Sequence, residues 1–456
     1  MDVPESPRRE SLKVRAIRAG SWVLISHVFM QAFRLGGNLV LTRLLSPDVF
    51  GTMAIATVFQ VVISLLAETG LFQSVIQSPN AEDRKFLDTA WTVQILRGCW
   101  IWFACVALAG ALYVADKWEW LPSNSVYATA NLPQVIVALS LSSVINGFRS
   151  TKAIVVYRNL NVSRVILIEI VSSVIGLAVA LLLAWRTRSI WSLVVSGLVA
   201  SVLSTVLSHV LLEGPIDRFA WDRRALQELL NFGRWIFLSS AVGVLAGNGD
   251  RLLLGGWFTP AILGYYSIAL NLTNALEAAA DRLLSSVSLA TLSEVARRDP
   301  SHLRTLYFRM RWPIDAAFLG MAGFLFASGE WIIHLLYDVR YVPAGWMLKM
   351  LSFGLVFARY GLVQNAYLAL GQPNYLAVTN VVKTASLFIL VPAFYYGFGI
   401  GGAIMGIALY RAPTLPFIFY FNERLNLNNI LLELAVLAFW PLGWLAGLAM
   451  VAMVHR

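Results

Sequence analysis

Long apolar runs alternate with short polar connectors along the 456 residues of the chain. Each run has roughly 20 residues or more, the length with which an α-helix crosses the hydrocarbon core of a membrane. The pattern predicts an all-α integral membrane protein with helices at 17–44, 50–72, 87–114, 126–148, 162–185, 190–212, 232–258, 263–292, 314–337, 346–370, 375–396, 400–421 and 430–454. Pro441 leaves open whether the last run is a straight, kinked or re-entrant span.

Two sets of six runs flank a polar stretch, which predicts two lobes. The predicted parts are a cytoplasmic amphipathic amino terminus (1–16), an N lobe (17–212), a cytoplasmic linker (213–231), a C lobe (232–421) and an additional helix (430–454).

The two lobes share a sequence pattern at an offset of 213 residues. GSWVLIS (20–26) aligns with GRWIFLS (233–239), SPDVFG (46–51) aligns with TPAILG (259–264), and Glu68 aligns with Asp281. These matches at a single offset indicate a duplication. Because an even number of spans separates the copies, both halves enter the membrane in the same sense, which predicts parallel repeats around a central cleft.

Hydrophobic residues make up 58% of the chain and charged residues 13%, against about 25% charged in an average soluble domain. The net charge of +10 does not indicate nucleic-acid binding, because the 35 Lys and Arg residues are spread over the connectors. The two cysteines, Cys99 and Cys105, share one apolar run and predict neither a disulfide nor a metal site.

The basic residues also predict the orientation of the chain. With the amino terminus in the cytoplasm, the inside connectors carry 21 Lys and Arg residues and the outside connectors carry 6. Short cytoplasmic loops are enriched in Lys and Arg, so the amino terminus is predicted to face the cytoplasm.

Charged side chains inside the predicted spans are the candidate functional residues, because each costs upward of about 2.5 kcal/mol in the bilayer. We predict that six cations line the cleft and bind substrate: Arg34, Arg97, Arg251, Arg359, Lys383 and Arg411. The alternative is that charges such as Asp250 and Arg251 form structural ion pairs.

Polar residues at helical spacing form stripes on the first, second and eighth predicted spans. The stripes are His27, Gln31, Arg34 and Asn38; Gln60, Ser64 and Glu68; and Asn271, Asn274, Asp281, Ser285 and Ser288. Such stripes favour a hydrated cleft over a uniformly packed bundle.

The stretch LTRLLSPDVFGTMAIATVFQVVISLLAETGLFQSVIQ from Leu41, followed by LDTAWTVQILRG from Leu87, resembles the Wzx-type polysaccharide exporter family. The stretch GDRLLLGGWFTPAILGYYSIALNL from Gly249 resembles the seventh and eighth helices of that family. The resemblance implies a flippase of the multidrug/oligosaccharidyl-lipid/polysaccharide exporter superfamily in the bacterial inner membrane.

The same resemblance implies undecaprenyl-pyrophosphate-linked oligosaccharide as the substrate, and membrane lipids and a polysaccharide polymerase or export machinery as partners. The excess of cations fits this substrate. Arginines replace the hydration of a pyrophosphate or an acidic sugar with charge-assisted, often bidentate hydrogen bonds.

Other functions remain open at this point. A small-molecule drug antiporter on the same fold would usually have an acidic cavity for cationic drugs. A membrane polysaccharide polymerase or ligase would need an outer catalytic platform, and the longest predicted outside connector is only 115–125. A channel-like protein is a third alternative. The sequence has no P-loop, H-E-x-x-H or nucleotide fingerprint, so we predict a transporter without catalytic residues, metal site or cofactor.

Vectorial transport without a nucleotide requires an ion gradient or consumption of the substrate outside. We predict coupling to H⁺ or Na⁺ through Asp250 or Asp281, with Glu68 as a further candidate because it is the repeat mate of Asp281. Neutralising a carboxylate at the cleft would change the relative energies of the inward-open and outward-open states.

Cysteine labelling tests the predicted topology. The variants Lys117→Cys and Arg340→Cys should react with a membrane-impermeant maleimide added from the periplasm, whereas Arg158→Cys and Arg298→Cys should not. Labelling of the second pair and protection of the first would show that the predicted orientation is wrong.

Overall fold

A computed structural model describes residues 12–68, 70–78, 83–158, 162–298 and 300–454, apart from the side chains of some helical stretches. Every regular element within these ranges is helical. The helices are α1 (Leu12–Leu44), α2 (Pro47–Leu66), α3 (Leu71–Gln77), α4 (Arg84–Lys117), α5 (Leu132–Gly147), α6 (Lys152–Arg158), α7 (Ser163–Thr187), α8 (Trp191–Val210), α9 (Arg223–Gly255), α10 (Pro260–Arg298), α11 (Pro300–Leu336), α12 (Ala344–Leu351), α13 (Phe353–Ala358), α14 (Gly361–Ala369), α15 (Pro373–Leu409), α16 (Leu415–Arg424), α17 (Ile430–Val436) and α18 (Phe439–Val454).

Eight segments of the described chain are long and apolar enough to cross a membrane, or nine if the bent pair α5 and α6 counts as one span. One of them, Pro373–Arg424, has 52 residues and breaks at Gly399, with φ 64° and ψ −146°. Only glycine adopts this backbone conformation readily. The break falls between the predicted spans 375–396 and 400–421. The chain is therefore an all-α membrane protein, and the total of thirteen spans stays a prediction.

Several predicted spans have different boundaries in the structure. The second span stops at Leu66, and the separate helix α3 follows Gly70, whose φ is 60°. The span predicted at 346–370 consists of three short helices, α12, α13 and α14. The last run divides into α17 and α18, and Pro441 lies in the first turn of α18, where a proline costs no intrahelical hydrogen bond.

The contacts divide the chain into two compact units. Unit 1 comprises Met1–Leu45, Ala56–Trp120 and Ala130–Ala241, and unit 2 comprises Ser46–Ile55, Leu121–Thr129 and Val242–Arg456. The sequence did not predict that two short segments from the amino-terminal half would belong to unit 2. The boundary near residue 241 falls within α9.

The stretch predicted as a linker is fastened to unit 1 by hydrogen bonds. The backbone N–H of Arg218 donates to Asp88 Oδ1 at 2.9 Å, and the N–H of Asp222 donates to Thr89 Oγ1 at 3.2 Å. Asp222 then caps α9, because its carboxylate accepts from the N–H groups of Arg224 and Ala225. The hydrogen bond from Ala225 lowers the pKa of the Asp222 carboxyl.

Helices α11 and α18 of unit 2 approach each other closely through glycines. A Cβ atom built on Gly443 would lie 1.9 Å from the carbonyl oxygen of Gly320, and one on Gly323 would lie 2.0 Å from that of Trp440. Small residues at such spacing let membrane helices pack backbone to backbone. The additional carboxyl-terminal helix is therefore an integral part of unit 2.

Residues that align with each other at the offset of 213 residues lie in contact inside unit 2. A Cβ on Gly51 would lie 1.9 Å from the carbonyl oxygen of Pro260, and a Cβ on Gly264 would lie 2.1 Å from that of Pro47. A reciprocal contact of this kind is what a two-fold relation between equivalent surfaces produces. The duplication and the parallel arrangement of complete repeats stay predictions.

Candidate functional site

Unit 1 contains a polar cavity of about 780 Å³. Helix α2 contributes Gln60 and Ser64 to its wall, and Glu68 contributes from two residues beyond the end of α2 at Leu66. These are the three members of the stripe predicted on the second span. Helix α4 contributes Gln94 and Arg97, and α7 contributes Glu169. Spacings of three and four residues place such side chains on one helix face, which accounts for their convergence here.

Arg97 and Glu68 form an ion pair in the wall of this polar cavity. Arg97 Nη2 donates to Glu68 Oε2 at 2.7 Å and to the carbonyl oxygen of Ser64 at 3.1 Å. The other carboxylate oxygen of Glu68 accepts from the N–H of Gly70 at 3.1 Å. The side chains are 24% and 20% exposed, so the pair remains accessible from the cavity.

A second ion pair lines the same cavity. Gln94 donates to the carbonyl oxygens of Gly147 and Arg149, each at 3.0 Å, and thereby holds the connector from which Arg149 extends. Arg149 Nη2 lies 3.2 Å from Glu169 Oε1. The polar cavity therefore presents two arginines, and each has one glutamate as its counter-ion.

Described residues of unit 2 line two smaller cavities of about 320 and 200 Å³, and the pair Arg411 and Glu277 borders both. Arg411 Nη1 donates to Glu277 Oε1 at 2.7 Å, and its Nε donates to Tyr410 Oη at 3.2 Å. The two side chains are 25% and 24% exposed. This pair resembles the Arg97–Glu68 pair in exposure and in having a single carboxylate for its arginine.

Two other predicted residues line the cavities of unit 2. Asp250 borders the larger cavity and accepts a hydrogen bond from the Tyr266 hydroxyl. Lys383 borders the smaller cavity together with Arg411 and Glu277. No carboxylate among the described residues forms an ion pair with Lys383.

Arg359 is not in a cavity but in a buried cluster of four charges. Arg359 lies 3.3 Å from Asp315 and 2.9 Å from Glu433, and Arg311 lies 3.1 Å from Asp315 and 2.5 Å from Glu433. The Tyr360 ring lies beneath both guanidinium groups, at 4.6 and 4.9 Å. With side chains only 0–10% exposed, these charges neutralise one another, which corrects the expectation that Arg359 faces a water-filled cleft.

The remaining predicted residues have varied positions. Arg34 is exposed on α1, and Arg251, which follows Asp250 in the sequence, is half-buried. Neither arginine lines the polar cavity of unit 1 or the two cavities of unit 2. The side chains of His27, Asp281 and Ser285 lie outside the described part of the chain. The roles of Arg34, Arg251 and Asp281 therefore stay predictions.

Sequence reasoning did not assign a site role to Arg149, Glu169, Glu277, Asp315 or Glu433. The i, i+4 spacing of Arg311 and Asp315 was the one local signal for the buried cluster. The other carboxylates reach their arginines from different helices. Residue spacing within one helix carries no information on such partners.

Substitution of Arg359 tests whether the buried cluster is structural. Arg359→Gln leaves two carboxylates with one arginine and should reduce stability by about 3–5 kcal/mol. Thermal unfolding of the detergent-solubilised protein measures this loss. The control is Arg164→Gln, because the ion pair of Arg164 with Glu213 is 51% and 85% exposed and such pairs contribute about 1 kcal/mol or less. A folded, equally stable Arg359→Gln protein that fails to transport would instead indicate substrate binding.

Known proteins resemble this chain over most of its length. A protein named lipopolysaccharide biosynthesis protein WzxC, from Escherichia coli strain K12, is 20% identical over 407 residues, covering 88% of this chain and 78% of that protein. An uncharacterized membrane protein in the cps region of Klebsiella pneumoniae is 20% identical over 433 residues, covering 93% and 85%. The fold is similar to that of the lipid II flippase MurJ in an inward closed conformation, with a TM-score of 0.67 and 14% identity over 96% of this chain and 100% of that one.

A family model provides the assignment. Residues 40–346 match the model described as polysaccharide biosynthesis protein, which is more than half of the chain. The chain therefore belongs to this family of polysaccharide biosynthesis proteins.

Proposed function

We propose that the chain is a flippase, and not an enzyme, that moves undecaprenyl-pyrophosphate-linked oligosaccharide from the cytoplasmic to the periplasmic leaflet of the bacterial inner membrane. The family assignment, the name of one relative, a lipopolysaccharide biosynthesis protein, and the similarity in fold to a lipid II flippase support this function. The observation that carries it is that each unit of this membrane protein holds an arginine–glutamate pair in the wall of a cavity.

A pyrophosphate that crosses a membrane must exchange its hydration for other hydrogen bonds. An arginine provides up to five N–H donors in a planar fork that matches phosphate oxygens. A single glutamate satisfies only part of this fork, so an incoming anion can replace or join the glutamate. When the substrate leaves, the glutamate again neutralises the arginine, which limits the cost of an unpaired charge.

Exposure separates the exchangeable pairs from the structural cluster. Arg97 and Arg411 are 24% and 25% exposed at cavity walls, whereas Arg311 and Arg359 are 1% and 5% exposed. The first two arginines can meet a substrate without unfolding of the surrounding helices. Lys383, which borders the same cavity as Arg411, adds positive charge for an anionic substrate.

Coupling to an H⁺ or Na⁺ gradient forms part of the proposal. Asp250 is the candidate carboxylate in unit 2, because it is buried beside a cavity and accepts from the Tyr266 hydroxyl. Neutralisation of such a carboxylate changes the balance between inward-open and outward-open states of an alternating-access transporter. Delivery of the flipped substrate to a polysaccharide polymerase or export machinery completes the proposed role.

Arg411→Gln tests the proposed substrate site. Loss of a hydrogen-bonded charge of this kind costs about 1.5–3 kcal/mol, so export should fall roughly tenfold or more. The measurement is polysaccharide output and the lipid-linked oligosaccharide remaining in the inner leaflet of cells that lack the native gene. Arg164→Gln is the charge-matched control from an exposed pair and should export normally.

An Arg411→Gln protein that is folded and exports at the control rate would contradict the substrate site. Wild-type protein that leaves lipid-linked oligosaccharide in place, but gives the same cells resistance to cationic dyes, would favour a drug antiporter.

Asp250→Asn tests ion coupling. The variant should stay folded, because asparagine can keep the hydrogen bond from Tyr266, but export should stall because the group no longer gains or loses charge. Glu213→Gln, at an exposed carboxylate, is the control and should export normally. Normal export by Asp250→Asn, or wild-type export that ignores collapse of both the proton and the sodium gradients, would exclude coupling through Asp250.

A further inference from the structure

An apolar groove lies beside the polar cavity of unit 1. Its volume is about 330 Å³, and seven of its lining residues are hydrophobic: Leu66, Ala67, Val93, Leu96, Trp100, Trp221 and Leu226. Four of these side chains are more than half exposed: Leu66, Leu96, Trp100 and Trp221. In a membrane protein, exposed apolar side chains of this kind face lipid.

Arg97 and Glu68 are the two residues that line both the apolar groove and the polar cavity. The ion pair therefore forms the wall between an apolar compartment and a polar one. This arrangement places a cation at the junction of two chemically different spaces.

Arg97 also retains donor capacity. Its Nη2 donates to Glu68 and to the Ser64 carbonyl, and its buried Nε has no hydrogen-bond partner among the described residues. An unsatisfied buried N–H costs free energy, which an additional acceptor would recover. The existing contacts therefore leave part of the guanidinium fork unused, and a phosphate group that donors of this fork bind would compete with Glu68 for the charge of Arg97.

We propose that this junction is the site where unit 1 binds its amphiphilic substrate, an assignment that rests on the proposed function. The polyprenyl chain lies in the apolar groove, the pyrophosphate binds Arg97, and the first sugars extend into the polar cavity. A lipid-linked oligosaccharide has these three chemical parts in this order. A phospholipid has no saccharide to occupy the polar cavity, and a free sugar has no chain for the groove.

Glu68 has a defined part in this site. It is the counter-ion of Arg97 when substrate is absent, and the pyrophosphate competes with it for the guanidinium. Neutralising Glu68 should therefore strengthen binding of the pyrophosphate, whereas neutralising Arg97 should weaken it. A purely structural ion pair would respond alike to both substitutions.

Photo-crosslinking locates the chain-binding part of the site. The full-length protein in nanodiscs of phosphatidylethanolamine and phosphatidylglycerol would carry a photoreactive phenylalanine at Leu96, in the groove. A second sample would carry it at Phe103, which is 61% exposed on the same helix but outside the groove. The probe is radiolabelled undecaprenyl pyrophosphate.

We expect labelling at position 96 to exceed that at position 103 at least tenfold and to disappear with excess unlabelled undecaprenyl pyrophosphate. Equal labelling at both positions, or loss of the position-96 label with excess phosphatidylglycerol, would show that ordinary membrane lipid occupies the groove. Either result overturns the assignment.

Binding of the same probe tests the ionic part of the site. We expect Arg97→Gln to raise the Kd at least tenfold, Arg97→Lys to restore part of the affinity, and Glu68→Gln to lower the Kd severalfold. Thermal unfolding of each variant verifies that it is folded. Equal weakening by Arg97→Gln and Glu68→Gln would show that the pair only supports the fold, which overturns the proposal.

A transport assay separates this assignment from the proposed function. If wild-type protein in proteoliposomes flips lipid-linked oligosaccharide while position 96 labels no more than position 103, the binding site is wrong and the flippase assignment stands. If the wild-type protein neither flips this lipid nor binds undecaprenyl pyrophosphate, both proposals fail.

Discussion

Charges inside an apolar protein require counter-charges, and this requirement governs how the helices of this chain meet. An isolated guanidinium or carboxylate in a low-dielectric environment costs several kcal/mol, which favours folds that bring an opposite charge close to it. Arg97 meets Glu68, Arg149 meets Glu169, Arg411 meets Glu277, and two arginines share Asp315 and Glu433. The positions of these pairs determine which helices are held together and which cavities carry charge.

Ion pairing has two different consequences in this protein, depending on whether the paired side chains are exposed to a cavity. In the cluster of Arg311, Arg359, Asp315 and Glu433, every charge contacts two opposite charges and almost no surface remains exposed. Such a cluster resists exchange and holds helices in one arrangement. At the cavity walls, each arginine has one carboxylate and about a quarter of its surface is exposed. We propose that these pairs open for an anion, which is what transport of a pyrophosphate would require.

The carboxyl-terminal helices illustrate how one charge can fix an entire element. Glu433 lies on α17 and bonds to both arginines of the buried cluster, while the glycines of α18 pack against those of α11. Ion pairing and backbone contact together make this segment part of unit 2. An apolar run that looks like an optional addition in the sequence is thus joined to the core of its unit.

The sequence by itself determined the membrane environment, the all-helical fold and the approximate positions of most spans, because these depend on local hydrophobicity and length. It also predicted that Gln60, Ser64 and Glu68 share a face, because helical periodicity is local. Only the tertiary structure decided which charges meet: Glu68 and Arg97 are 29 positions apart, Arg359 and Glu433 are 74 apart, and Glu277 and Arg411 are 134 apart. Periodicity gives the direction in which a side chain points from its own helix, whereas the partner depends on which helix packs against that face. For this reason Arg359 and Arg411 had the same expected role, and the structure separated them into a fully buried charge with two carboxylate partners and a partly exposed one with a single partner.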